Sequence, residues 1–167
     1  MKNTKNEKSK AGERMLPKPT GGHQFYFAYG SNMNPSRIAQ RIPQARAVGV
    51  ARIKGWKLVE RLYADIERCE GAEVDGVLYL LNREEILQLD LCEGYPKVYD
   101  CIGVDAYLDA KHKVYAFTYT MTEATKRRRE GKPYPPDYRL LCSRGAFWHG
   151  VKDAFRRRRD PPPRFAY

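Results

Sequence analysis

Glu93 stands in Leu89-Asp90-Leu91-Cys92-Glu93-Gly94-Tyr95, where apolar residues at helical spacing run into a glycine. Gly94 and Pro96 both oppose continuation, which places Glu93 at the C-terminal end of a helix. A carboxylate there faces the unfavourable pole of the helix dipole. Its pKa is expected to rise, more so if it is buried among Leu89, Leu91 and Tyr95. A raised carboxylate pKa is what a general acid/base needs near neutral pH. The same pattern also describes a surface glutamate in a helix-ending turn, and composition alone does not separate the two.

A second stretch could hold an anion. Gln24-Phe25-Tyr26-Phe27-Ala28 reads as a buried strand. Tyr29-Gly30-Ser31-Asn32-Met33 breaks it, and Asn34-Pro35 spells an N-cap followed by proline at the first helical position. Such a corner leaves several backbone N–H groups pointing one way, which suits a carboxylate or phosphate. A strand-turn-helix corner that binds nothing has the same spelling.

Other chemistries lack context. Ser31 is in no G-x-S-x-G, and nothing links His23, His112 or His149 to it. Cys92 at a helix C-terminus would have a raised rather than lowered thiol pKa, which reads as a buried structural cysteine. Cys69, Cys92, Cys101 and Cys142 form no C-x-x-C pair, so no metal site is expected and the thiols read as reduced. Phosphate-loop and dinucleotide fingerprints are missing, and no cofactor is expected.

The elements that must position these residues follow from the pattern. Pro35 to Arg41 makes a short helix, stopped by Pro43. Ala45 to Glu60 reads as extended, Leu62 to Ile66 is ambiguous, and Arg68-Cys69-Glu70-Gly71 reads as a turn. Glu73 to Leu81 is apolar enough on both faces for a central strand. Asn82 with Glu85 spells a capping box for the helix that carries Glu93. Val98 to Leu108 and Val114 to Met121 read as a strand pair joined at Asp109-Ala110-Lys111-His112. Residues 126–132 read as a basic loop, and Pro135-Pro136-Asp137 opens a last helix. Strands outnumber helices without regular alternation. That predicts an α+β fold with a curled, mixed sheet flanked by short helices.

The 167 residues suit one domain, expected over 23–150, between a disordered basic tail at 1–22 and a basic Pro/Arg-rich tail at 151–167 that is disordered or loosely docked. The net charge is +11, but each tail carries +4 and residues 126–132 another +4, leaving the rest near −1. Excess confined to tails and one loop makes nucleic acid an unlikely partner, with weak polyanion contact through the tails as the remaining form of that idea. No apolar run approaches the ~20 residues of a membrane span, and the N-terminus has no apolar signal-peptide core, so no membrane partner and a cytoplasmic location are expected. The oligomeric state is not encoded in any recognisable pattern.

Four blocks in order resemble the γ-glutamylcyclotransferase-like family, which includes AIG2-like proteins and γ-glutamylamine cyclotransferases. They are Phe27-Ala28-Tyr29-Gly30-Ser31-Asn32-Met33, then Val74-Asp75-Gly76-Val77-Leu78-Tyr79, then Leu89 to Tyr99, and more weakly Tyr138 with Gly145-Ala146. The resemblance spans about 23–150 and implies a small barrel-like sheet. It also implies an intramolecular reaction on a small γ-glutamyl substrate. The substrate's α-amine attacks its own γ-carbonyl and releases 5-oxoproline with an amine or amino acid. Glu93 would carry the proton, Tyr29, Gly30, Ser31, Asn32 and Met33 would hold the substrate, and Tyr99 and Tyr138 would line the pocket. Pro135-Pro136-Asp137-Tyr138 departs from the family's Pro-Ser before the late tyrosine. Tyr99, six residues after Glu93, fits the γ-glutamylamine branch, whereas Tyr-Gly-Ser-Asn fits the other. Free γ-glutamyl amino acids, γ-glutamylamines and a γ-glutamyl group on a biosynthetic intermediate all stay open. A non-catalytic binding module on the same fold is the alternative from another class.

Overall fold

The computed structural model describes residues 14–15 and 22–160. Six strands and four helices follow in the order β1 (Arg14–Met15), β2 (Gln24–Ala28), α1 (Pro35–Arg41), β3 (Ala47–Arg61), β4 (Tyr63–Leu81), α2 (Arg83–Glu93), β5 (Tyr99–Tyr107), β6 (His112–Met121), α3 (Glu123–Arg129) and α4 (Pro136–His149). A single 3-10 turn, Ser31–Met33, lies between β2 and α1. Five strands run β6-β2-β4-β3-β5, and β5 pairs back onto β6, closing a barrel-like sheet. The sheet is mixed because β2 and β6 are parallel while the other pairs of that ring are antiparallel. The expected α+β class and curled, mixed sheet are therefore present.

β2 is hydrogen-bonded on both sides, to β4 and β6, and Tyr26, Phe27 and Ala28 are all buried. A strand covered on both faces does not alternate, which is why its aromatic run is continuous. Tyr26 packs against Tyr79, Phe117 and Tyr119, with ring centroids 5.3–6.2 Å apart.

Two expectations are corrected, and two open readings are resolved. The turn at 68–71 is instead a bulge interior to β4, where residues 69–72 stand opposite the single Gly55 between the pairs Lys54–Glu73 and Trp56–Arg68, with Gly71 at φ +78. The real reversal is one residue, Leu62, at φ +63 between paired Arg61 and Tyr63. The basic loop begins as helix α3, capped by Thr122, whose side chain accepts from the Thr125 N–H, and anchored by fully buried Thr125. Its cations cluster in the last turn, where the helix dipole favours them. Finally, residues 151–160 are fastened to α4. Val151 and Phe155 are buried, Arg139 donates to the Phe155 carbonyl, and Ser143 donates to Asp153.

Within the tail read as disordered, Arg14–Met15 pair in parallel with His112 and Lys113, and the rest of 1–21 lies outside the described residues, as does 161–167. No helix among the described residues is long and apolar enough to cross a membrane.

Candidate functional site

The corner after β2 is built from its caps. Asn34 accepts hydrogen bonds from the Ser36 and Arg37 N–H groups and so starts α1 where the proline spelling places it. The Met33 and Asn34 amides are used inside the turn, by the Gly30 and Ser31 carbonyls. Among the described residues, the amides of Gly30, Ser31 and Asn32 meet no acceptor. Gly30 is favoured by close approach rather than by a left-handed backbone. A Cβ there would sit 3.1 Å from the Tyr138 hydroxyl and 3.2 Å from the Ala64 Cβ. Gly145 serves the same end from α4, since its Cβ would meet the Asn34 nitrogen at 2.6 Å. The helix backbone therefore rests directly on the turn.

α2 opens with the complete Asn82–Glu85 capping box and stops at Gly94, at φ +71. Glu93 is its last residue and points at the corner. Its Oε1 accepts from Asn32 Nδ2 at 3.0 Å and from Arg41 Nη1 at 2.8 Å. Oε2 accepts nothing among the described residues. The Asn32 side chain and carbonyl are both committed. The residue also donates to the Tyr26 hydroxyl, accepts from Arg41 on Oδ1, and receives the Tyr79 hydroxyl on its carbonyl. One carboxylate oxygen is thus fixed and the other is available.

Burial pushes the Glu93 carboxyl above the usual range, while Arg41, Asn32 and Arg37 pull it back. The burial does not come from the neighbours the sequence suggested. Leu89 is buried, but Leu91 is 77% exposed and Tyr95 is 42% exposed. The cavity wall supplies it instead.

That cavity, about 40 Å³, is lined by Tyr26, Tyr29, Gly30, Ser31, Asn32, Ala64, Glu93, Tyr99, Tyr119 and Tyr138. It is little more than the room of a single water. Ser31, Glu93, Tyr99 and Tyr138 also border an outer cleft of about 360 Å³, with Arg37, Arg41, Tyr63, Cys92 and Arg129. A volume of that order suits a small ligand. Ala64 holds two of the rings. Its N–H donates to the Tyr138 hydroxyl at 3.0 Å, and its carbonyl accepts from the Tyr99 hydroxyl at 3.2 Å. Tyr29 donates to the Tyr119 carbonyl at 2.6 Å. Burial, reinforced by nearby acids, drives the Tyr29 and Tyr99 hydroxyls far above their ordinary pKa, and burial does the same to Tyr138. All three stay neutral, Tyr29 and Tyr99 as donors and Tyr138 as an acceptor.

Seven of the eight sequence-derived site residues, namely Glu93, Tyr29, Gly30, Ser31, Asn32, Tyr99 and Tyr138, share this cavity. Met33 does not. Its side chain is buried and borders a separate pocket with Leu58 and Phe155. Cys92 is exposed at the cleft rather than buried. Sequence reasoning missed Tyr26, Ala64, Tyr119 and the three arginines. One signal was available, because a helix from Pro35 puts Arg37 and Arg41 four residues apart on one face. No group of three or more His, Cys, Asp or Glu side chains among the described residues could hold a metal ion.

Comparison with known proteins finds relatives in both sequence and fold. A gamma-glutamylcyclotransferase from Mus musculus is 31% identical over 144 residues, spanning 78% of this chain and 74% of that protein. One from Homo sapiens is 30% identical over 140 residues, spanning 76% and 72%. A crystal structure of an uncharacterized Homo sapiens protein superposes with a TM-score of 0.72 at 29% identity, covering 79% of this chain and 83% of that one. A solved gamma-glutamyl cyclotransferase gives 0.65 at 27%, covering 78% and 82%. Residues 26–140 match the family described as gamma-glutamyl cyclotransferase, AIG2-like, and the chain belongs to it.

Proposed function

We propose that the protein is a γ-glutamylcyclotransferase. The substrate's α-amine attacks its own γ-carbonyl carbon, closing a five-membered lactam. The bond from that carbon to the leaving nitrogen breaks, and 5-oxoproline and an amine or amino acid depart. Two protons must leave the α-ammonium nitrogen, one to free its lone pair and one as the lactam N–H forms. The leaving nitrogen takes up both to depart as an ammonium, so a single carrier can pass them across in turn.

Glu93 is assigned that task. The observation that carries the reading is its divided carboxylate, with Oε1 fixed by Asn32 and Arg41 and Oε2 unengaged, beside a cavity walled by the Gly30–Asn32 corner. The unused amides of that corner suit the α-carboxylate of the γ-glutamyl group, or the oxyanion that develops on its carbonyl. Because the nucleophile belongs to the substrate, the protein's main contribution is a folded-back pose, which supplies a large effective molarity. Tyr99 and Tyr138 would shape that pose.

Incubation with γ-glutamyl-alanine and related γ-glutamyl compounds, followed by detection of 5-oxoproline, tests the reading. Release by the wild type and its loss in Glu93→Gln are expected. Saturable binding without release would instead assign a non-catalytic module on the same fold.

A further inference from the structure

Three buried side-chain nitrogens among the described residues have no hydrogen-bond partner, namely Arg37 Nε, Arg129 Nη1 and His149 Nε2. Two of the three belong to arginines that border the outer cleft. A guanidinium N–H withdrawn from water without an acceptor is costly, and a ligand that provides one recovers that cost. The third arginine of the cleft, Arg41, is compensated by Glu93. The ion pairs of the described residues leave out both Arg37 and Arg129. Among the described residues, Glu93 is the only acidic one bordering the cleft.

The two cations are built into the site rather than trailing in solvent. Arg129 is held with its guanidinium carbon 5.2 Å from the centre of the Tyr63 ring, and Tyr63 meets Tyr138 edge-on at 4.9 Å. Arg37 comes from the first turn that Asn34 caps, and its charge reaches Glu93. The inner cavity has no room for more than the reacting end of a substrate. Whatever the γ-glutamyl group is attached to must therefore extend into the cleft these arginines border.

We infer that Arg37 and Arg129 form an anion subsite for the leaving half of the substrate, and that the preferred leaving group is an acidic amino acid, whose two carboxylates match two guanidinium groups that each hold a buried nitrogen without an acceptor. This rests on the γ-glutamyl reading above for the placement of the substrate. Guanidinium groups pair carboxylates through parallel N–H bonds, so each match adds both affinity and orientation. An uncharged amine gains neither, and a cationic amine is repelled.

The test compares γ-glutamyl-glutamate, γ-glutamyl-alanine, γ-glutamyl-ethylamide and γ-glutamyl-diaminobutane by kcat/KM for 5-oxoproline release. A fall in that order is expected, with about tenfold for each carboxylate lost. In Arg37→Gln/Arg129→Gln the ratio of the glutamate to the ethylamide compound collapses by about tenfold or more, while Arg37→Lys/Arg129→Lys keeps part of it. Calorimetric binding of γ-glutamyl-glutamate and γ-glutamyl-ethylamide to Glu93→Gln gives a readout independent of turnover. Release of 5-oxoproline from all four compounds without charge preference overturns the subsite and leaves the cyclotransferase reading standing. Tighter binding of γ-glutamyl-glutamate that the glutamine pair abolishes, with no 5-oxoproline from any compound, upholds the subsite and overturns the reaction. Absence of both overturns both.

Discussion

Arg41 Nη1 donates to Glu93 Oε1 at 2.8 Å, joining the last residue of α1 to the last residue of α2 at the border of the outer cleft. The pair sets two opposed influences on one carboxyl group. Burial raises its pKa, and the guanidinium restrains the rise. The base form of Glu93 starts the proposed reaction, so kcat/KM should climb with pH through an apparent pKa above the usual carboxylate range. Arg41→Met removes the restraint, and the acid limb should move to still higher pH by about one unit or more. Activity measured below the limb falls, and activity on the plateau is affected less. A limb that stays in place would mean that Glu93 is not the titrating group.

Glu93→Gln keeps the shape of the side chain and removes its basicity. The loss in kcat should be about 10²- to 10⁴-fold, the usual contribution of a positioned acid/base. The far-ultraviolet circular dichroism spectrum should be unchanged, since α2 is capped at Asn82 and Gly94 and not by Glu93. A variant cycling at the wild-type rate would remove Glu93 from the mechanism.

Gly145→Ala should lift α4 off the corner. Its added carbon would meet main-chain atoms of Met33 and Asn34 at 2.6–2.9 Å, and backbone does not yield as a flexible side chain does. Overpacking of this kind costs about 1–3 kcal/mol, measurable by urea unfolding. Gly30→Ala meets side chains at 3.1–3.2 Å instead, so its expected signature is lost activity with a smaller loss of stability.

Asp65 is fully buried and accepts from Arg61, the Thr120 hydroxyl and the Met121 amide. It lies next to Ala64, which holds both pocket tyrosines. Asp65→Ala leaves Arg61 paired with Glu67 and Glu130 but takes the acceptor from the buried Met121 amide, and a buried donor left unsatisfied costs about 1–3 kcal/mol. Equilibrium denaturation of the variant checks the figure, and a change under 1 kcal/mol, the scale of an exposed pair, would contradict it.

Much of the site could be read before the fold was known because its signals are local. Asn34-Pro35 and Asn82 with Glu85 are caps whose hydrogen bonds close within three residues, and both form where their spelling puts them. Gly94 marks the helix end for the same reason. What stayed hidden depends on residues far apart in the chain. Arg41 meets Glu93 across 52 positions, and Ala64 meets Tyr138 across 74. The reversal at Leu62 carries no glycine or asparagine to announce it, and its amide is held by the Lys132 carbonyl from another part of the chain. The seven residues of α3 are too few, and too uniformly charged, for an apolar period to show.

Ala64 presents its two main-chain polar groups to two different tyrosines and its methyl group to the cavity. The spacing between those rings is consequently dictated by the course of β4, whatever side chain residue 64 bears. A bulkier group at that position would intrude on the empty volume without unfastening either ring. Chamber size and tyrosine placement can thus vary independently, giving related sequences a one-residue means of narrowing the reactants they admit.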